Sequence, residues 1–113
     1  KHIGSFQMIQ RMIAEMSAEY EMARHFLYSV AHDYDQGNKG AAVAAKLKLT
    51  IPKMVTKIAL DAIQLHGGYG YSREFPLERF MRDNKLNEIG AGTNEVMVTI
   101  IAKHLLTNIK NEL

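Results

Sequence analysis

Two glycine-rich segments contain the residue types in this chain best suited to holding a polar ligand. The first runs from Gln64 to Tyr71 and reads Gln-Leu-His-Gly-Gly-Tyr-Gly-Tyr, and the second runs from Ile89 to Glu95 and reads Ile-Gly-Ala-Gly-Thr-Asn-Glu. Glycine lacks a Cβ, so its backbone approaches a ligand closely and takes positive φ at little cost. The Gln, Thr and Glu beside these glycines add donors and acceptors. We therefore predict a place where helix ends hold a polar ligand.

The first segment has two interpretations. A helix that ends at a glycine commonly closes with that residue in the left-handed conformation, which Gly67 would supply. Alternatively, the segment is one edge of a ligand site. Gln64 then offers two donors and one acceptor, while Gly67 and Gly68 let the backbone meet a phosphate or a ring. The sequence on its own leaves both interpretations open.

The second segment has the features of a helix N-terminus. Thr93 or Asn94 can cap a helix through its side-chain oxygen, and Glu95 places an acid in the first turn, where the helix dipole favours negative charge. The unpaired backbone N–H groups at such a terminus also form a natural site for an anion.

The elements that would position these segments are helical. Apolar residues recur at steps of three and four along two long segments, Ser5–Tyr34 and Lys39–Leu65, and predict two amphipathic helices. Gly37 ends the first. Pro52 lies within the second, and we expect a kink there because the stripe continues across it. The predicted stripe of the first helix comprises Phe6, Ile9, Ile13, Met16, Tyr20, Ala23, Leu27 and Ala31.

The rest of the chain predicts a loop over Tyr69–Phe75, a short helix over Pro76–Asp83, an irregular segment over Asn84–Gly92 and a last helix to about Asn108. No strand pattern occurs in the sequence. We predict an all-α, up-down bundle of three long helices and one short helix. Its stripes are wide, which indicates that a partner helix is missing.

Composition restricts the function classes. The 113 residues fit one domain, residues 1–113, and the absence of cysteine excludes disulfides and Cys-ligated metals. The five His show no metal-ligand spacing, and no segment is long and apolar enough to span a membrane. The formal charge is only +2. The nearest approach to a basic cluster is spread around one helix and predicts a solvated face rather than a nucleic-acid surface: Lys46, Lys48, Lys53 and Lys57.

Three ordered motifs resemble the C-terminal helical domain of the acyl-CoA dehydrogenases: Gln64–Tyr71, Arg79–Asp83 (Arg-Phe-Met-Arg-Asp) and Gly90–Glu95. The resemblance extends from about Gly4 to Leu106. It implies a four-helix bundle lacking its first helix in this chain. It also implies FAD, an acyl-CoA substrate that loses a proton and a hydride from adjacent carbons, and an electron-transfer flavoprotein that reoxidises the flavin. Full-length members form homo-oligomers, usually tetramers. The implied location is the cytoplasm in a bacterium or the mitochondrial matrix in a eukaryote.

The resemblance also assigns roles to residues. The segment around Gln64 would contact FAD bound mainly by the neighbouring subunit, and Phe6 fits a first core residue of its helix equally well. Ala91 and Gly92 would line the acyl thioester. The implied FAD contacts are Phe6, Gln7, Gln64, Leu65, His66, Gly67, Gly68, Thr93, Asn94 and Glu95.

One departure from the family pattern concerns the catalytic base. Many members have Tyr-Glu-Gly-Thr where this chain has Gly90–Thr93, and their Glu removes the α-proton. Ala91 occupies that position and cannot accept a proton. The Ile-Gly-Ala-Gly-Thr form is similar to the isovaleryl-CoA dehydrogenase branch, in which the base comes from a preceding helix. We therefore predict no catalytic residue in this chain. The alternatives are Glu88 as the base, or a non-catalytic interaction module or degenerate paralogue.

Overall fold

The computed structural model describes residues 2–112, in which every regular element is a helix. After a short 3₁₀ turn come α1 and α2, then a single helical turn α3, then α4 and α5. Their bounds are Ile3–Ser5 for the 3₁₀ turn, Gln7–Asp35 for α1, Ala41–His66 for α2, Gly68–Tyr71 for α3, Leu77–Ile89 for α4 and Asn94–Glu112 for α5. The prediction of an all-α fold with three long helices is confirmed.

Helix α2 is the element against which the others pack. Helices α1, α3, α4 and α5 all contact it. Helix α1 runs antiparallel to α2, since Phe6 lies beside Leu65 at one end while Leu27 lies beside Ile51 further along. Helix α5 is also antiparallel to α2. The position of each candidate site is therefore fixed by where its residues lie along α2.

The face of α1 that packs on α2 is a narrow seam. Its partly buried residues alternate at steps of three and four, the spacing of a coiled-coil seam: Ile9, Met12, Met16, Glu19, Ala23, Phe26 and Val30. Glu19 is the charged member, and its carboxylate lies 3.2 Å from the ammonium of Lys57 on α2. Lys57 also lies 3.1 Å from Asp61, and hydrogen bonds to Asp61 and Glu19 raise the pKa of its ammonium.

The other half of the predicted stripe on α1 is exposed. Five large apolar side chains repeat every seven residues along it, and each is between 47% and 58% exposed. We call this set the outer seam: Phe6, Ile13, Tyr20, Leu27 and Tyr34. The wide stripe seen in the sequence is thus two adjacent seams, of which α2 covers one.

Two glycines behave as predicted, and the prediction of one continuous helix across Pro52 is confirmed, while the kink there stays a prediction. Gly37 closes α1 with φ of 90°, and Gly67 closes α2 with φ of 57°, values that glycine adopts readily. Helix α2 continues across Pro52, whose ring is buried.

Two predicted loops were wrong. Gly68–Tyr71 forms the single helical turn α3, whereas a loop was predicted from Tyr69 onwards. Helix α4 continues to Ile89 instead of stopping at Asp83. The extension is polar, so its sequence shows no apolar stripe. Hydrogen bonds from its side chains to α2 stabilise it instead.

The chain leaves much apolar surface uncovered. Among the described residues, the buried apolar side chains are few: Ala42, Ala45, Pro52 and Met97. The accessible surface is 8601 Å² for 12.8 kDa, whereas a compact monomer of this mass exposes about 6,300 Å². The radius of gyration is 17.7 Å, against about 13 Å for a compact chain of this length.

We expect the isolated chain to self-associate through the outer seam, because burying apolar surface contributes about 25 cal/mol per Å². Sedimentation equilibrium at micromolar concentration measures this. Tyr20→Glu with Leu27→Glu should shift the population towards monomer, since each introduces a charge into the seam. The control Ser29→Glu adds a charge to an exposed position of α1 off the seam. A wild-type chain that remains monomeric, or a control with the same effect, would contradict the prediction.

Candidate functional site

The first group of predicted site residues meets where α1 begins and α2 ends. Phe6 and Gln7 line an open hollow of about 660 Å³ together with Leu65, although 58 residues separate Gln7 from Leu65. Gln64 lies beside Leu65 in the last turn of α2, exposed, and no described hydrogen bond uses its side-chain amide. The structure therefore brings these residues to one end of the molecule, which we call the α2 end.

The glycines at the α2 end differ in their surroundings. A Cβ built on Gly68 would meet nothing within 4 Å, so this backbone borders open space. A Cβ on Gly70 would collide with the carbonyl oxygen of Ile63 and lie 2.9 Å from the Cα of Ile63. Gly70 is therefore required for α3 to pack on α2, whereas Gly68 is available to a ligand.

The side chain of His66 is engaged within the chain. Its Nδ1 lies 2.9 Å from the carbonyl oxygen of Ala62, and its ring centroid lies 5.7 Å from that of Phe75. His66 would thus meet a ligand mainly through its backbone, as its place in the glycine-rich segment suggests.

The second group forms the turn between α4 and α5, which we call the α5 turn: residues 90–93. Ala91 has φ of 53° and Gly92 has φ of 101°. A positive φ costs a residue with a Cβ about 1–2 kcal/mol, so the surroundings must hold Ala91 in place. Thr93 then caps α5, because its Oγ1 accepts a hydrogen bond of 3.4 Å from the N–H of Val96.

Glu95 and Asn94 occupy the first turn of α5. The pKa of Glu95 is lowered, first by a hydrogen bond from the backbone N–H of Glu95 to its own carboxylate and second by one from the Thr93 hydroxyl. The Asn94 side chain points inward, with Nδ2 donating to Glu88 at 3.2 Å and Oδ1 buried without a partner. The Asn94 side chain is therefore engaged within the chain.

Glu88 is tied into the structure rather than available as a base. Its Oε1 accepts a 2.6 Å hydrogen bond from the Thr56 hydroxyl on α2, and its Oε2 accepts from Lys85 at 3.0 Å and from Asn94. The hydrogen bond from Thr56, followed by that from Lys85, lowers the pKa of Glu88 below its ordinary value of 4.5. A general base works best with a pKa near the operating pH, so the geometry argues against Glu88 in that role.

Asn84 extends this network to the middle of α2. Its Nδ2 donates to the Pro52 carbonyl oxygen at 2.9 Å and to the Thr56 hydroxyl at 2.7 Å. Sequence reasoning missed Thr56 and Asn84, because polar side chains within helices are ordinarily solvated. The sequence held no signal for them, since the carbonyl that Pro52 frees is that of Lys48, one turn earlier, and not the Pro52 carbonyl to which Asn84 donates.

Lys48 was also missed. It was grouped with a solvated basic face, but its side chain is partly buried and its Nζ donates to the carbonyl oxygens of Asn87 and Gly92, the latter at 3.2 Å. That interpretation was wrong for Lys48. Lys57 is exposed as predicted, and it also pairs with Glu19 on α1.

The two groups lie apart on α2. The α5 turn is attached at Lys48, 16 residues before Gln64, which corresponds to about 24 Å along a helix. One chain therefore carries the predicted site residues in two separate groups. Among residues 2–112, no group of three or more acidic or His side chains is arranged to hold a metal ion. No helix within that range is long and apolar enough to cross a membrane.

Comparison with known proteins decides the family. Residues 1–106 match the C-terminal domain of acyl-CoA dehydrogenase. The chain belongs to the acyl-CoA dehydrogenase family.

Individual members of the acyl-CoA dehydrogenase family agree with this assignment. The mitochondrial isovaleryl-CoA dehydrogenase of Solanum tuberosum is 44% identical over 103 residues, which are 91% of this chain and 25% of that protein. The butyryl-CoA dehydrogenase of Megasphaera elsdenii superposes with a TM-score of 0.90 at 36% identity, over 94% of this chain and 28% of that one. A solved FAD complex of PigA superposes with a TM-score of 0.86 at 35% identity, over 93% of this chain and 27% of that one. The chain spans about a quarter of the length of these relatives.

The two glycines of this acyl-CoA dehydrogenase domain should respond oppositely to one added methyl group. We expect Gly70→Ala to reduce the free energy of unfolding by about 1–3 kcal/mol through overpacking against α2. Gly68→Ala should change it by less than about 1 kcal/mol, because the new Cβ meets open space and alanine favours helix. Urea unfolding followed by circular dichroism measures both. Equal losses in the two variants would contradict this description of the α2 end.

The Glu88 network should produce a defined acid sensitivity. The folded-state pKa of Glu88 is lowered, so its stabilising contribution is complete above about pH 4.5, the ordinary value, and is lost as the pH falls through the lowered folded value. Glu88→Gln should therefore reduce unfolding free energy at pH 7, and this difference from wild type should shrink in acid. Urea midpoints between pH 7 and 3 measure it. The control is Asp83→Asn on the same helix, whose carboxylate makes no described ion pair. A pH-independent loss in Glu88→Gln would contradict the role of charge.

Proposed function

We propose that this chain is the C-terminal FAD-binding and oligomerisation domain of a flavin-dependent acyl-CoA dehydrogenase. The observation that supports this best is the α2 end, where an unpaired Gln64 amide adjoins a Gly68 backbone bordered by open space. Structural glycines at a helix end are normally explained by backbone conformation or close packing. Gly67 is explained by its backbone conformation and Gly70 by close packing, whereas neither reason applies to Gly68.

The residues present suit FAD in three respects. The Gly67–Gly68 backbone and the Gln64 amide offer donors at an open surface. Phe6, Gln7 and Leu65 add a mainly apolar hollow beside them. The backbone N–H groups at the start of α5, at Thr93, Asn94 and Glu95, form a helix N-terminus suited to a polar or anionic group. When bound, FAD supplies the hydride acceptor of the reaction.

The separation of the two groups supports a shared site. At about 24 Å apart along α2, the α2 end and the α5 turn fit contributions to two different flavins better than to one. We propose that the α2 end contacts the flavin held mainly by a neighbouring copy, in a homo-oligomer that is a tetramer in the full-length protein. This arrangement would make each complete site depend on two chains.

The acyl thioester would lie along Ala91 and Gly92. Ala91 contributes a methyl group there and no proton acceptor, and Glu88 is held by Thr56 and Lys85. We therefore propose that the base lies outside these residues, on a further helix of the same bundle that also covers the outer seam. The isolated 113 residues should give no turnover with acyl-CoA and a dye acceptor. In the complete enzyme, an electron-transfer flavoprotein would reoxidise the flavin. The location would be cytoplasmic in a bacterium or the mitochondrial matrix in a eukaryote.

The outer seam favours one other function, a non-catalytic module that pairs with another helical chain. Such a module would need the seam but not the α2 end. Flavin content of the purified full-length protein separates the two, because only the enzyme should retain a flavin.

Gln64→Ala in the full-length protein is expected to lower FAD affinity about fivefold, the effect of losing about 1 kcal/mol of hydrogen bonding. Flavin occupancy after gel filtration, together with fluorescence titration of the stripped protein, measures this. Gln36→Ala is the matched control, since Gln36 is an exposed glutamine at the end of α1. If Gln64→Ala retains flavin as wild type does, the assignment of the α2 end is wrong.

A further inference from the structure

The α5 turn has an energetically unfavourable backbone conformation that neighbouring contacts must stabilise. Ala91 and Gly92 are consecutive residues with positive φ, at 53° and 101°. The turn packs against the start of α5, since a Cβ built on Gly92 would lie 2.7 Å from the Met97 methyl group. Strained backbone of this kind persists only where neighbouring contacts determine it fully.

Lys48 supplies such a contact from another element. Its ammonium joins two carbonyl groups, that of Asn87 in the last turn of α4 and that of Gly92 in the α5 turn. An ammonium has three donors, and hydrogen bonds from a charged donor are stronger than neutral ones. Lys48 pairs with no carboxylate among the ion pairs of the described residues, so these carbonyls are its partners.

The Gly92 carbonyl determines the direction of a second group. It belongs to the same peptide unit as the N–H of Thr93, and in a planar trans peptide the C=O and N–H point in opposite directions. Since the C=O of Gly92 points towards Lys48, the N–H of Thr93 points away from it. No hydrogen bond among residues 2–112 uses the Thr93 N–H.

We infer that Lys48 is a positioning residue. By holding the Gly92 carbonyl, it directs the Thr93 N–H outward as a donor to the bound ligand at the α5 turn. Lys48 itself does not touch that ligand. This inference rests on the proposed function, because the ligand is the flavin and acyl-CoA pair of that site.

The test uses the full-length flavoenzyme with Lys48→Met, Lys48→Arg and the control Lys46→Met. Lys46 lies on the same helix, is also partly buried, and has a side chain in no described hydrogen bond or ion pair. Two readouts are needed: the separate values of kcat and KM for acyl-CoA, and calorimetric binding of an unreactive acyl-CoA thioether.

We expect Lys48→Met to bind the thioether about tenfold more weakly, the change produced by about 1.4 kcal/mol, with KM raised by a similar factor. Lys48→Arg should recover most of this loss, because a guanidinium can donate to both carbonyls, and Lys46→Met should match wild type. A Lys48→Met enzyme with wild-type binding and KM overturns the inference. A Lys48→Met enzyme that loses only stability also overturns it. A loss of thioether binding that Lys48→Arg does not recover has the same consequence. If Lys48→Met does not fold, Lys48→Gln replaces it and is judged by the same outcomes, because its shorter, neutral amide cannot join both carbonyls.

A different result would contradict the proposed function. A wild-type protein without flavin or thioether binding would overturn both statements. A wild type that binds both, beside an unaffected Lys48→Met, removes only the role of Lys48.

Discussion

The hydrogen-bonded carboxylate of Glu88 is the interaction on which the arrangement of the smaller helices depends. It receives donors from Thr56 on α2, from Lys85 within α4 and from Asn94 at the start of α5. Only 11% of its side-chain surface is exposed. With only four buried apolar side chains in the described residues, the chain cannot fix these helices by apolar packing alone. Directional polar contacts take over that function.

The apolar residues of the chain serve a different purpose. They are numerous, at 47% of the sequence, but many of the large ones face outward. The outer seam shows this most clearly, since its five members repeat at seven-residue intervals along the whole of α1. Exposed patches of this extent usually mark interfaces. The internal fold is therefore held largely by contacts along α2, while much of the apolar surface remains for association.

The sequence predicted what depends on local chemistry. Periodicity located α1, α2 and α5, and the glycines at positions 37 and 67 ended helices as their conformational freedom suggests. It failed for the polar half of α4, because Asn84 and Glu88 stabilise helix through partners on α2 that lie about 30 residues away in the chain. Lys48 was misjudged for the same reason: a lysine that caps carbonyls of other elements looks like a solvated one until those elements are placed. The close approach of Gly70 to Ile63 likewise depends on tertiary packing.

The length of α2 has a consequence for mixtures of intact and defective chains. One continuous helix joins the α2 end to the α5 turn, with Pro52 between them. In the proposed oligomer these ends belong to different flavin sites, so a change confined to one end would impair one site, whereas a change that disrupts α2 between them would impair two. A cell that makes equal amounts of normal and altered protein would then lose more than half of its working sites.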